Sequence, residues 1–142
     1  KYIERVESGL LSYGADTHPD SSPFEVGLDK MIDLDREDDF IGKQALRRIA
    51  EDGPARKLVG IVFDGDPVTF NEHPWTARVD GNIAGTIRAV CHSPRIQSNI
   101  GLALLETRFS ELGTKVEFKG EGRKFKGEVV EQPLVKPGTP LP

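Results

Sequence analysis

Cysteine is almost missing from this chain: Cys91 is the single one among 142 residues. One thiol can build neither an internal disulfide framework nor a cysteine-rich zinc site. It fits a reducing environment, and a cytoplasmic location is expected. Long apolar runs are also missing, and none approaches the ~20 residues of a membrane-spanning helix. No membrane partner is therefore expected. Nor is there a basic excess, since 19 Lys and Arg stand against 23 Asp and Glu, a formal charge of −4. With one Trp and two Tyr, a basic groove that stacks bases is not expected, which argues against a nucleic-acid partner. The sequence holds no glycine-rich phosphate loop, no G-x-S-x-G elbow and no repeat of fixed period.

What is present divides into two textures. Residues 1–53 read as helical. Ile3, Val6, Leu10 and Tyr13 recur at spacings of three and four, one apolar face of a helix that Gly14 would end, with Glu4, Arg5 and Ser8 turned away. "ADTHPDSS" reads as a polar loop. "SPFE" then offers Ser22 as cap, Pro23 at the first helical position and Glu25 as the return partner of a capping box. A short helix interrupted by Gly27 is expected there, followed by an extended "KMIDLD". A second helix should start near Asp39, turn Ala45, Leu46 and Ile49 inward, and stop at Gly53.

From residue 54 the pattern is that of strands. "KLVGIVFD", "WTARVD", "NIAGTIRAVC", "NIGLALLE", "TKVEFKG" and "KFKGEVVE" are short and rich in β-branched or alternating apolar residues. Asp80-Gly81 is a tight-hairpin signal, and Gly120-Glu121-Gly122 marks another turn. "QPLVKPGTPLP" holds four of the ten prolines and should be extended and irregular. The fold class that follows is α+β: a short helical lead-in, then an antiparallel β-barrel of about six strands whose closure removes exposed edges.

Candidates for chemistry are few. His18, His73 and His92 lie in separate loops or strand ends without metal-ligand spacing, so no metal site is expected. Cys91 has no partner pattern and reads as a buried structural thiol. Asp33, Asp35, Asp38 and Asp39 lack the glycine turn and closing Glu of a calcium loop. "RAVCHSPRIQ" is the distinctive stretch. Arg88 interrupts an apolar strand that Ser93-Pro94 breaks sharply. Its guanidinium could hold a carboxylate, or it could be an outward-facing strand residue or one half of an inter-domain salt bridge.

Three stretches, "RVESGLLSYGAD", "SPFEVGLDKMIDLDREDDFIGKQAL" and "GTIRAVCHSPRIQSNIGLALL", together resemble the C-terminal part of the tetrahydrofolate-dependent aminomethyltransferases. That family includes the glycine cleavage T-protein and dimethylsulfoniopropionate demethylase. The likeness spans residues 1–133. Glu7-Ser8, Leu11-Ser12-Tyr13-Gly14, Arg88 and Cys91 are similar to the demethylase branch. The resemblance implies that residues 1–53 end the folate-binding middle region and residues 54–142 form the C-terminal barrel. It implies tetrahydrofolate as cofactor, a small-molecule methyl or aminomethyl donor, and upstream domains of the same enzyme as partners. It places no catalytic residue in this chain, which alone should be inactive. Lys1 falls where the T-protein carries a folate-contacting Arg, and Lys1 and Arg88 are the expected cofactor-binding residues. With Arg88, the Ser93-Pro94 loop is expected to face the folate channel. The alternative is a non-catalytic binding or assembly module that retained only the barrel.

Overall fold

In the computed structural model, which describes residues 1–140, the chain runs from α1 (Tyr2–Ser8) through a 3-10 turn (Asp29–Met31) to α2 (Lys43–Asp52). Six strands follow: β1 (Arg56–Phe63), β2 (Trp75–Val79), β3 (Asn82–Ser93), β4 (Ser98–Glu106), β5 (Lys115–Gly120) and β6 (Arg123–Val130). They close into an antiparallel barrel in the order β1-β4-β3-β2-β5-β6. The expected barrel is thus observed, with strand limits within about two residues of the sequence pattern. Both hairpin signals act as read. Asp80 and Gly81 have φ of 50° and 80°, and Glu121 and Gly122 have 51° and 71°. Two consecutive positive values make the turn whose twist matches that of the flanking strands.

Two apolar layers result from strand alternation. Val59, Ile61, Phe63, Ile87, Val90, Ala103, Leu105, Phe118 and Phe125 fill the barrel. Leu58, Ala89, Cys91, Ile100, Leu102 and Leu104 point the other way and meet Val6 of α1. Hence β4 is buried on both faces from Asn99 to Leu105, which explains its unbroken apolar run. Gly85 lies so close to β4 that a Cβ would stand 2.0 Å from the Leu104 carbonyl oxygen; no side chain fits there.

The lead-in departs from expectation in several places. The first helix ends at Gly9 (φ 68°), not Gly14. There the Gly9 N–H donates to the Val6 carbonyl and the Leu10 N–H to the Arg5 carbonyl, the bonds of a Schellman cap. Leu10 and Tyr13 therefore lie beyond the helix, 65% and 76% exposed, and only Val6 of the expected face is buried. The capping box forms: Ser22 N–H donates to Glu25 Oε2 (3.1 Å) and Phe24 N–H to Ser22 Oγ (3.2 Å). It closes one turn instead of a helix, because Gly27 (φ 76°) lets the Leu28 N–H return to the Pro23 carbonyl. "KMIDLD" is not extended. Asp29–Met31 coil into the 3-10 turn, and the Asp33 carboxylate takes the Asp35 and Arg36 N–H groups at 3.1 Å. The second helix begins at Lys43, after Gly42 (φ 88°), instead of near Asp39. Leu46 and Ile49 are half-buried and Ala45 is exposed; the helix stops at Gly53 as expected. The proline-rich tail forms no helix or strand through residue 140; residues 141–142 lie outside the described residues.

Candidate functional site

Arg88 owes its position to an irregularity in β3. Ile87 pairs with Ala103 of β4 and Ala89 with the next residue, Leu102. Arg88 is the extra residue of a β-bulge, which turns its side chain out of an otherwise apolar strand. A bulge frees backbone groups, and Asn71 meets them: its Oδ1 accepts from Val90 N–H (3.0 Å) and its Nδ2 donates to the Arg88 carbonyl (3.4 Å). The guanidinium reaches back to the lead-in. Nε donates to the Ala15 carbonyl (2.7 Å) and Nη2 to His18 Nε2 (2.6 Å). That second bond requires an unprotonated His18 Nε2. Nη1 has no hydrogen-bond partner among the described residues.

Beside this contact α1 makes two charged pairs, Glu7 with Arg95 after β3 and Arg5 with Asp16 of the lead-in loop. Glu7 is only 2% exposed. Its carboxylate accepts from Ser93 Oγ (2.6 Å) and from Arg95, which lies in the turn after β3. The Ser93 hydroxyl in turn accepts from the Ile96 N–H at 3.1 Å, fixing the turn that Pro94 opens. Asp16 is also buried, accepting from Arg5 Nη1 (2.5 Å) and Ser12 N–H (2.8 Å). The Arg5 guanidinium lies over the Tyr2 ring at 5.2 Å. Burial, outweighing the lowering effect of Arg5, pushes the Tyr2 phenol above its ordinary range. Beneath α1 the Cys91 thiol is pushed up to about 12, first by burial and then by the Glu7 carboxylate. Such a thiol is not a nucleophile near neutral pH.

The two expected cofactor-binding residues are not brought together. The Lys1 side chain makes no hydrogen bond or ion pair among the described residues, with Arg88 or any other group. Of the Ser93-Pro94 loop, expected to face the folate channel, Ser93 is buried against Glu7 and Pro94 is exposed. Asp16 and Arg95 carry no signal in the sequence, and Glu7 enters there only through the family resemblance, not as a buried anchor. Glu7 follows Val6 on a short helix and has the pattern of a solvated residue, so nothing local marks it. His18 stands in the sequence only as a metal-ligand candidate, and its contact with Arg88, 70 residues away, has no local signal.

The arrangement is a closed six-stranded antiparallel barrel with a charged, helix-bearing lead-in clamped to its outer wall. Residues 56–136 match the family model described as the glycine cleavage T-protein C-terminal barrel domain, and the chain belongs to that family. Aminomethyltransferase from Geobacillus sp. (strain WCH70) is 37% identical over 134 residues, covering 93% of this chain and 36% of the relative. The enzyme of that name from Synechococcus sp. (strain CC9902) is 34% identical, with the same coverage. The chain thus spans a little over a third of the length of these relatives. The crystal structure of the glycine cleavage system aminomethyltransferase T from Bartonella henselae superposes with a TM-score of 0.83 at 22% identity, covering 94% of this chain and 37% of that one, and so shares its fold.

Proposed function

We propose that this chain is the C-terminal part of a tetrahydrofolate-dependent aminomethyltransferase of the T-protein kind. One observation carries the reading. Nearly the whole chain, lead-in included, aligns with a third of enzymes named aminomethyltransferase. In the corresponding reaction the carbon of an aminomethyl group on a lipoyl arm loses its bonds to sulfur and nitrogen and bridges N5 and N10 of tetrahydrofolate, with ammonia leaving and the arm released as its thiol. Residues 1–53 would end the folate-binding middle region and residues 54–142 would close the enzyme as its last domain. The exposed Leu10 and Tyr13 support a lead-in that upstream domains of the same polypeptide cover. The name of the relatives favours an aminomethyl donor over the sulfonium methyl donor of the demethylase branch. The reaction is placed in the cytoplasm, in keeping with the lone reduced thiol; among the described residues no helix is long and apolar enough to cross a membrane.

Arg88 fits a folate carboxylate in one respect that matters. Its Nη1 edge is free, while Nε and Nη2 are held by Ala15 and His18, so the guanidinium is oriented before any ligand arrives. Lys1 would add a point charge without the fork geometry of Arg. In the full-length enzyme, Arg88→Ala should weaken tetrahydrofolate binding about tenfold, the cost of one charge-assisted hydrogen bond. Equal affinity in wild type and variant would leave Arg88 as a clamp on the lead-in. The prior experiment is the intact mass of the native protein. A mass well above 15.6 kDa, with ammonia released on adding tetrahydrofolate and an aminomethyl donor, supports the enzyme. A mass near that value without transfer would leave a non-catalytic binding module.

A further inference from the structure

On the barrel wall formed by β2, β5 and β6, Lys119, Lys124 and Lys126 have no side-chain partner among the described residues, and Arg78 uses only Nη1, on the Gly81 carbonyl at 3.2 Å. The exposed residues of this wall form two rows across the three strands. Arg78 opposes Glu117, which opposes Lys126. One outward position along, Thr76 falls beside Lys119, which directly opposes Lys124. These six residues line an open groove of about 690 Å³. Four are cations and one is an anion, in a chain whose total charge is −4. Among the described residues none of the six takes part in an ion pair, although the neighbouring Lys115 pairs with Glu128 and Arg123 with Glu121. Like charges directly opposed across a ladder are unfavourable in the free protein, so Lys119 and Lys124 weaken the hairpin they stand on unless an anion lies between them.

We propose that this groove binds a small multivalent phosphate compound. Neighbouring strands stand about 4.8 Å apart, so the Lys119, Lys124 and Lys126 ammonium groups can converge on a single polyanion, with the Thr76 hydroxyl as a further donor. Lysine binds phosphate as a point charge that needs no fixed approach. The surroundings favour this occupant over an acidic protein. Protein interfaces are anchored by desolvated aromatic or aliphatic side chains. Of the large exposed apolar residues only Ile83, opposite Arg78 on β3, borders the groove, and one aliphatic at its edge is no desolvated anchor. Leu10, Tyr13, Met31, Ile41 and Phe70 lie off these strands. The site is independent of the aminomethyltransferase reading, since it uses none of Lys1, Arg88 or the lead-in.

Calorimetric titration of the full chain with sodium tripolyphosphate tests it. Saturable binding is expected, weakened about tenfold by the pair Lys119→Ala and Lys124→Ala and by raising salt from about 50 to about 200 mM. Lys115→Ala, whose ammonium is already paired, should leave affinity unchanged. Thermal unfolding reports whether the double variant stays folded; it should be at least as stable as wild type, because the repelling pair is gone. Lys119→Gln alone serves if it is not. Absence of saturable heat overturns the proposal. So does an equal loss with Lys115→Ala, which would reveal diffuse charge only. Tighter binding of a polyglutamate peptide than of tripolyphosphate at the same residues would assign the groove to an acidic protein instead.

Discussion

Residues 56–130 close on themselves through six strand ladders around an apolar filling, whereas residues 1–53 lie on that barrel through Val6, the half-buried Leu11 and Val26, two ion pairs and a few hydrogen bonds. In the barrel the apolar side chains are interchangeable in kind, and the backbone ladder sets the register. In the lead-in the contacts are directional: Glu7 with Ser93 and Arg95, Arg5 with Asp16, Glu25 with the Arg56 fork at 3.1 and 3.2 Å, Arg88 with Ala15 and His18. Directional polar contacts hold one geometry well and fail abruptly when one partner is removed. The difference teaches that the two regions should come apart separately.

The largest effect expected is at Glu7. Glu7→Ala leaves Arg95 without its carboxylate and should cost about 3–5 kcal/mol, the usual penalty for breaking a buried charge pair. Amide exchange is the sharper measurement: protection should vanish in residues 2–18 and persist in β1 and β4. Uniform loss of protection would erase the distinction between the regions. Gly85→Ala probes the other side. Its Cβ has no room before the Leu104 carbonyl, and overpacking should cost about 1–3 kcal/mol, read as a lowered midpoint for the β3–β4 ladder.

Alkaline titration reaches the boundary between the regions. Cys91 is raised from 9.0 to about 12 by burial and by Glu7. Above pH 9 the unfolded chain sheds the thiol proton while the folded chain keeps it, so stability must fall as pH rises from 9 towards 12. At pH 10 the expected loss is about 1 kcal/mol. Cys91→Ala should flatten that part of the profile, and an unchanged slope would show that the thiol is not held neutral. The smallest effect expected is Ser22→Ala, about 0.5 kcal/mol, since its box caps one turn only. Denaturant midpoints resolve it.

The same divide explains what could be read beforehand. All six strands were legible because alternation and the two paired-φ hairpins, Asp80-Gly81 and Glu121-Gly122, are local signals. The lead-in was not, for Gly9, Gly27 and Gly42 each end or delay a helix that apolar spacing alone would extend. In the site, Arg88 stood out as a charge in an apolar strand. The bulge that aims it did not, because a bulge is defined by the partner strand, and the flanking partners Leu102 and Ala103 are set only once β4 pairs. Glu7 was invisible for a related reason: its partners Ser93 and Arg95 are brought near only by barrel closure.

The extra residue at Arg88 also changes which wall β3 serves. Ile87 faces the barrel interior; beyond the bulge Val90 takes that side, while Ala89 and Cys91 turn outward beneath Val6. Without that one-residue phase change, Val90 would meet the helix and Cys91 would enter the filling. Pairing Arg88 into the ladder would reverse the inside and outside of the last five residues of β3 at a stroke, whereas deleting it would keep Val90 inward and Ala89 and Cys91 outward and remove only the guanidinium that reaches the lead-in.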